Sequence, residues 1–501
     1  MKSDIMRKAI LTLLLSGHVA VMLAGKIVYP GGACPAIIKR GETLEILYKN
    51  PAKPAIDSVI LRGPYNRVAM KIVKIEKGKF EYDNYTQLAT DHRITVRIPD
   101  GTPEELYDLI VKTSSSVCIS PKSVKVVKEF SKRHTIIHIT DPHVTRMWVQ
   151  TEHGSYGKEL ELLDKFISVA NIIAPDFIMV TGDIIHDYTR LDADSIEWGG
   201  YLLDKADEGP LIEEKFKNYF EGACGYSGVW GFNAPVFSTT GNHDFYGVNN
   251  EDYIGRCSQW NKFAGKRVYG FSYNTTRVIV TDDFNGDHVL DSPVDAPMSG
   301  LQGKTIRKFL EKEGRGECIL WGKHSYNHID TAFMNDNKVK IILHGHKHTP
   351  GEQYIGTTPT LNISPGVVCR SGNIALWKKT LGFFRVFTIE GDKFDYTRAL
   401  RFCTNPTAPY DKLNLNLTLD YDQANDARAE KNRAVIRNKF DIGFKGCRVR
   451  FVMPKGLYEV TNGTIRQTIE TDKLSVVDVD FDVKANGLTV VEIFPAKKEK
   501  K

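Results

Sequence analysis

Five short runs carry side chains suited to holding metal ions: Asp141-Pro142-His143, Gly182-Asp183, Gly241-Asn242-His243-Asp244, His324-Ser325 and Gly345-His346-Lys347-His348. Imidazole, carboxylate and amide groups without thiolate suit zinc, iron or manganese. Two of the runs place ligand-type residues at positions i and i+2. Where a strand relaxes into a loop, both can turn toward one point. Two divalent ions about 3.5–4 Å apart also need a bridging anion, and a carboxylate serves. Each run alone is weak evidence. A D-x-H triplet or a G-D pair is common by chance, and a lone histidine is more often packed or exposed than a ligand. All five in one region, each just after an apolar run, point to a dinuclear centre able to activate water.

The elements that must position these residues are legible as patterns. Short apolar runs at 136–139, 177–180, 236–238, 278–280, 319–321 and 341–343 read as strands buried on both sides. Between the first two, Lys158–Ile173 places Leu160, Leu163, Phe166, Ile167 and Ala170 on one helical face, and Leu301–Glu313 predicts a second helix. Strands alternating with helices imply a layered α/β domain over residues 131–400, with ligands gathered at the carboxyl ends of strands. Residues 26–130 alternate apolar and polar in short runs, which predicts a β-sandwich-like N-terminal domain. Residues 401–501 read as a β-rich accessory domain. Within it, the polar stretch 421–439 is expected to be a linker or surface helix.

The five runs, in this order, resemble those of the calcineurin-like metallophosphoesterase superfamily over roughly residues 133–390. The resemblance implies an α/β/β/α layered fold and two divalent or mixed-valence metal ions. Asp141, His143 and His348 would hold one metal, Asn242, His324 and His346 the other, and Asp183 would bridge them. Hydrolysis would be direct, by a hydroxide held at the metals attacking phosphorus. His243 would protonate the leaving group, with Asp244 as the nearest carboxylate to orient it or else a loop cap. Many members carry Asp three residues after the Asp of the G-D motif, and purple acid phosphatases carry Tyr. Here that position is His186, so no charge-transfer colour is expected. The run Gly182-Asp183-Ile184-Ile185-His186-Asp187 is similar to the G-D-x-x-x-H-D of the acid-sphingomyelinase-type branch, one residue shorter. His186 is therefore a candidate second phosphate-facing histidine. The fourth run lacks the usual proline, which leaves His328 as an alternative ligand to His324.

The remaining features bound the setting. The chain has 501 residues and a net charge of +6, of which the last five residues supply half. The body is nearly neutral, so no nucleic-acid-binding module is indicated. Lys2, Arg7 and Lys8 precede a mostly apolar run at 9–24, which reads as a signal peptide over residues 1–25. An uncleaved anchor is the alternative, and the chain is expected to be secreted or extracytoplasmic. Eight cysteines in an oxidising compartment favour disulfides, with Cys34–Cys118, Cys224–Cys257, Cys403–Cys447 and Cys318–Cys369 as the pairing by sequence proximity. Sequons stand at Asn84, Asn274, Asn362, Asn416 and Asn462.

The expected partner is a phosphate-ester substrate, with a slight preference for a diester because an alcohol leaving group gains from protonation. The insert 188–235, with Trp198, Tyr201, Tyr226, Gly228 and Trp230, would rise over the site or form a small core of its own. The alternative function class is an exported binding protein that keeps the metal core as a scaffold.

Overall fold

The computed structural model describes residues 25–83, 88–144, 158–186, 205–245, 259–283, 298, 300–326, 329–369 and 381–497. Two mixed sheets form its middle. The first runs in the order β3-β2-β1-β10-β11 and the second β4-β5-β6-β7-β9-β8. Their strands are β1 (Arg133–Ile139), β2 (Phe177–Thr181), β3 (Val236–Thr239), β4 (Tyr269–Tyr273), β5 (Thr276–Val280), β6 (Cys318–Gly322), β7 (Ile341–Leu343), β8 (Gly351–Ile355), β9 (Thr360–Ser364), β10 (Phe383–Glu390) and β11 (Lys393–Tyr396). Strands β1, β2 and β3 are mutually parallel, as are β5, β6, β7 and β9.

Alternation along these strands explains why both faces of each sheet are buried. Ile136, Phe177, Met179 and Phe237 share one core with Val278, Val280, Leu320 and Leu343 of the second sheet. The intervening Ile137, Ile139, Ile178 and Val180 point the other way, onto helix α1 (Lys158–Ile173). Its Leu160, Leu163, Phe166 and Ala170 are buried there, as the 3.6-residue period predicts. Removing the ring of Phe166 would cost about 3–5 kcal/mol. Helix α2 (Lys205–Phe220) adds Phe216 and Phe220 to the same core. On the far side of the second sheet, helices α3 (Leu301–Glu313) and α4 (Thr331–Asn337) cover Ile279, Ile319, Trp321 and Ile342.

Toward the N-terminus, eight strands between Lys26 and Val127 form one continuous path around a single core that includes Ile46, Val59, Ile94, Val96 and Val124. The chain leaving the first of these strands is stitched to the middle region. The Ala33 carbonyl accepts from Ser238 N–H and from the Tyr269 hydroxyl, each at 3.1 Å.

The C-terminal residues form a four-stranded and a three-stranded sheet. One expectation fails here. The stretch 421–439 contains no helix among its described residues. It holds strand Asn432–Asn438, paired with Leu417–Tyr421 on one side and Gly487–Pro495 on the other. Its charged residues face outward into cross-strand pairs, Arg433 with Asp422 and Glu492, and Arg437 with Asp420. The core of this region is continuous with that of the middle of the chain. Val449, Phe451, Val477 and Val479 belong to the cluster that buries α1.

The cysteines also depart from expectation. None of Cys34, Cys118, Cys224, Cys318, Cys369, Cys403 and Cys447 is joined in a disulfide. Cys34 and Cys118 lie in different cores, as do Cys318 and Cys369. The Cys118 thiol instead donates to the Gly25 carbonyl at 2.8 Å. Cys403 and Cys447 share a core without a bond between them. Cys257 and Asn84 lie outside the described residues, as do the apolar leader 1–24, Trp198 and Tyr201. Tyr226 and Trp230 of the insert pack against the α1 core. Among the described residues no helix is long and apolar enough to cross a membrane.

Candidate metal centre

All five ligand-bearing runs leave the carboxyl ends of parallel strands: Asp141 and His143 after β1, Asp183 after β2, Asn242 and His243 after β3, His324 after β6, and His346 and His348 after β7. Parallel strands in each of two facing sheets therefore deliver them to one rim. Close approach of these loops demands glycine at two of the motif positions. A Cβ on Gly241 would lie 2.2 Å from Asp183 Oδ1, and one on Gly345 would lie 1.9 Å from Thr140 Oγ1.

The ligand-type side chains form two adjoining groups. In the first, His348 Nε2 lies 3.1 Å and His143 Nε2 3.6 Å from Asp141 Oδ1. In the second, Asn242 Oδ1 lies 3.1 Å from His324 Nε2 and 3.0 Å from His346 Nδ1. Asp183 stands between them. Its Oδ2 is 3.6 Å from His143 Nε2 and 3.1 Å from His324 Nε2. The atoms of Asp141, His143, Asp183 and His348 lie within 4.8 Å of one another, as do those of Asp183, His324 and His346.

The donors fit cations. Asp141 and Asp183 are fully buried, and Asp141 Oδ1 and Asp183 Oδ2 have no hydrogen-bond partner. Each is the oxygen that faces the imidazoles. The opposite oxygens are held in place: Asp141 Oδ2 accepts from Thr140 Oγ1 and His346 N–H, and Asp183 Oδ1 accepts from His243 N–H. His324 Nδ1 lies 2.6 Å from the Thr181 carbonyl, so its Nδ1–H donates there and Nε2 is left toward Asp183. Asp141, His143, Asp183, His346 and His348 all have φ between 47° and 70°. Left-handed backbone at non-glycine residues costs of order 1–3 kcal/mol each and concentrates at functional sites.

Electrostatics follow the same division. Burial would raise the Asp141 carboxyl, but His348 and His143 hold it well below the usual carboxylate range. Asp183 is likewise lowered against its burial, chiefly by His324 and His243. Burial opposes the charge on His324, yet Asp183 lifts it to about 10. His348 is raised by Asp141 in the same way. Burial pushes His143 down to about 4, and His346 is also lowered chiefly by burial. Cations placed between these groups would take over the role that protons on His324 and His348 otherwise play.

The other candidates surround this core. The His243 ring lies edge-on to that of His143, centroids 4.6 Å apart, with Nε2 4.0 Å from Asp183 Oδ2. His186 stacks on His243 at 5.2 Å and 19°, and its Nδ1 is 3.4 Å from His143 Nδ1. Asp244 is fully buried, with Oδ1 accepting from Ile185 N–H and Oδ2 from Gly241 N–H. It thus ties the Asp183 loop to the Asn242 loop. Burial and neighbouring Asp183 push its carboxyl well up. His328 lies outside the described residues.

Sequence reasoning missed one supporting residue. Asp283 Oδ2 accepts from His324 N–H at 3.0 Å and Ser325 N–H at 2.7 Å, with the Lys323 ammonium at 3.6 Å. Asp282-Asp283 follows β5 just as the ligands follow their strands, and that placement was the available signal.

Comparison with known proteins agrees with this geometry. Residues 134–350 match the family model described as calcineurin-like phosphoesterase. Among solved structures, similarity is found to a conserved uncharacterized protein and predicted phosphoesterase from Streptococcus pneumoniae TIGR4. Identity is 14%, coverage is 53% of this chain and 90% of that one, and the TM-score is 0.23. An amylomaltase from Corynebacterium glutamicum is similar at 12% identity over 32% of this chain and 22% of that one, TM-score 0.15. No curated protein matches the chain. The region that gathers the five ligand-bearing runs is thus the region that matches the calcineurin-like phosphoesterase family model.

Proposed function

We propose that the chain is an exported hydrolase of phosphate esters with a dinuclear metal centre, Asp141, His143 and His348 holding one ion, Asn242, His324 and His346 the other, and Asp183 bridging. The observation that carries this reading is the placement of Asp183 Oδ2, within 3.6 Å of imidazoles from both groups. When bound, the ions would lower the pKa of water from about 15.7 toward about 7 and neutralise phosphoryl oxygens. Around them we read an α/β/β/α catalytic domain flanked by β-rich N- and C-terminal domains. Export rests on residues 1–25 alone.

The chain's own groups supply the rest. His243, fixed through its backbone by Asp183 and braced by the His143 and His186 rings, is placed to give a proton to the departing oxygen. His186 offers a second donor to the phosphoryl oxygens, which favours a diester whose alcohol must be protonated. Asp244 and Asp283 keep the loops in register through backbone N–H groups.

The test is metal analysis of the purified chain followed by a hydrolysis panel with added manganese, zinc or iron. Two ions per chain and faster release from a bis-nitrophenyl diester than from a nitrophenyl monoester are expected. A metal-loaded chain inert toward every ester would overturn the reading in favour of a binding scaffold.

A further inference from the structure

We propose that a polar cleft beside the candidate centre is the subsite for the alcohol half of the ester, and that it selects an alcohol rich in hydroxyl groups, a sugar or polyol. This rests on the phosphoesterase reading and adds the class of substrate. The cleft has a volume of about 260 Å³ and is lined by Tyr326, His344, Lys347, Glu352, Gln353 and Asn362, among others. It lies between the loop after β6, strands β8 and β9, and the loop after β7 that carries His346 and His348.

Tyr326 is the wall shared with the centre. Its ring stacks on that of His346 at 6.2 Å and 22°, and it also lines the cleft. His346 in turn reaches Asn242 through Nδ1 at 3.0 Å. A phosphoryl group seated at the centre thus has one aromatic ring between it and the cleft. An alcohol of a few carbons passing the edge of Tyr326 reaches the cleft floor.

Asn362 forms that floor. It sits in β9 and is 1% exposed. Its Nδ2 donates to the Tyr326 carbonyl at 3.3 Å, while its Oδ1 has no partner. A buried amide oxygen without a donor is unfavourable, and a small turn of the Asn362 side chain, which lines the cleft, would bring it to a hydroxyl seated there. Glu352 is anchored by Arg385 Nη1 at 2.9 Å and is half-exposed, so it retains acceptor capacity for a second hydroxyl. The lining therefore asks for hydrogen-bond donors, which a hydrocarbon chain cannot supply. Lys347 stands between two candidate ligands with its ammonium 3.6 Å from the centroid of the Tyr326 ring. It is exposed on a long stem, so it can move from the ring to a phosphate oxygen at the mouth of the cleft.

The experiment measures kcat/KM of the full chain, with added metal, on methyl phosphodiesters of glycerol, ribose and ethanol, alongside bis-nitrophenyl phosphate. A preference for glycerol or ribose over ethanol of about tenfold or more is expected. The better of the two tells polyol from sugar. Asn362→Leu should reduce that preference about tenfold. Lys347→Gln, at an exposed position where folding is not at risk, should raise KM several-fold for all the esters alike and leave the preference for the hydroxylated ones unchanged. Hydrolysis of the nitrophenyl diester without any preference over ethanol overturns this proposal and leaves the phosphoesterase reading standing. So does an unchanged preference in Asn362→Leu. Failure to hydrolyse any ester overturns both.

Discussion

His143 and His348, 205 positions apart in the chain, face each other through Nε2 atoms 3.2 Å apart, with Asp141 Oδ1 3.1 Å from the latter. Two neutral imidazole nitrogens at that distance need one proton between them, and a cation drawn to the same place satisfies both together with the carboxylate. Burial keeps His143 down at about 4, so at neutral pH it offers a lone pair.

Metal occupancy is therefore expected to stabilise the fold. A ligand present at 100 times its Kd adds about 2.7 kcal/mol. Chelation followed by reloading should raise the melting temperature reversibly. His348→Ala should lose about half the bound metal by elemental analysis and most of the activity. Full metal content in that variant would contradict the assignment of His348.

His243→Asn should lower kcat by about 10²–10⁴-fold for esters with alkyl leaving groups. Nitrophenyl esters, whose leaving group departs without a proton, should suffer much less. Measuring kcat against leaving-group pKa distinguishes this from a structural defect, which would depress every substrate alike.

Acid should unfold the protein partly through His134. Burial lowers its pKa from 6.5, and its Nε2 is 3.1 Å from Thr276 Oγ1. The folded state thus holds a neutral ring, while the unfolded chain takes up a proton as pH falls through about 6.5. Its contribution is full above that pH and is lost as pH drops from there toward the lower folded value. In urea melts at pH 7.5 and 5.5, His134→Gln should show a shallower fall than the wild type. Equal slopes would rule His134 out.

Arg450 joins the two ends of the chain. Its guanidinium meets Asp478 at 2.7 and 2.9 Å and Glu105, just before a strand of the N-terminal sheet, at 2.8 Å, with both acids almost fully buried. Arg450→Ala would strand two buried carboxylates, and removing one partner of a buried pair costs about 3–5 kcal/mol. Because Arg450 is itself partly exposed, about 3 kcal/mol is expected, read as a lower urea midpoint. A shift within error would show that water replaces the arginine.

The letters alone determined the parts whose physics is local. The period of 3.6 in Lys158–Ile173 and Leu301–Glu313 and the short apolar runs of the middle sheets predict the elements observed there. The motif letters named the residues that the two sheets bring together. Strand Asn432–Asn438 escaped because its charges answer to partners on neighbouring strands rather than to any period within the segment. The absence of the expected disulfides, the core shared by α1 and the C-terminal strands, and the grip of Asp283 on the His324 loop likewise depend on what distant residues become neighbours. Tertiary structure alone decided that Asp183 Oδ2 faces two imidazole groups at once. That position comes from loops of two facing sheets with left-handed turns at five ligand-type residues, and no stretch of chain encodes such convergence locally.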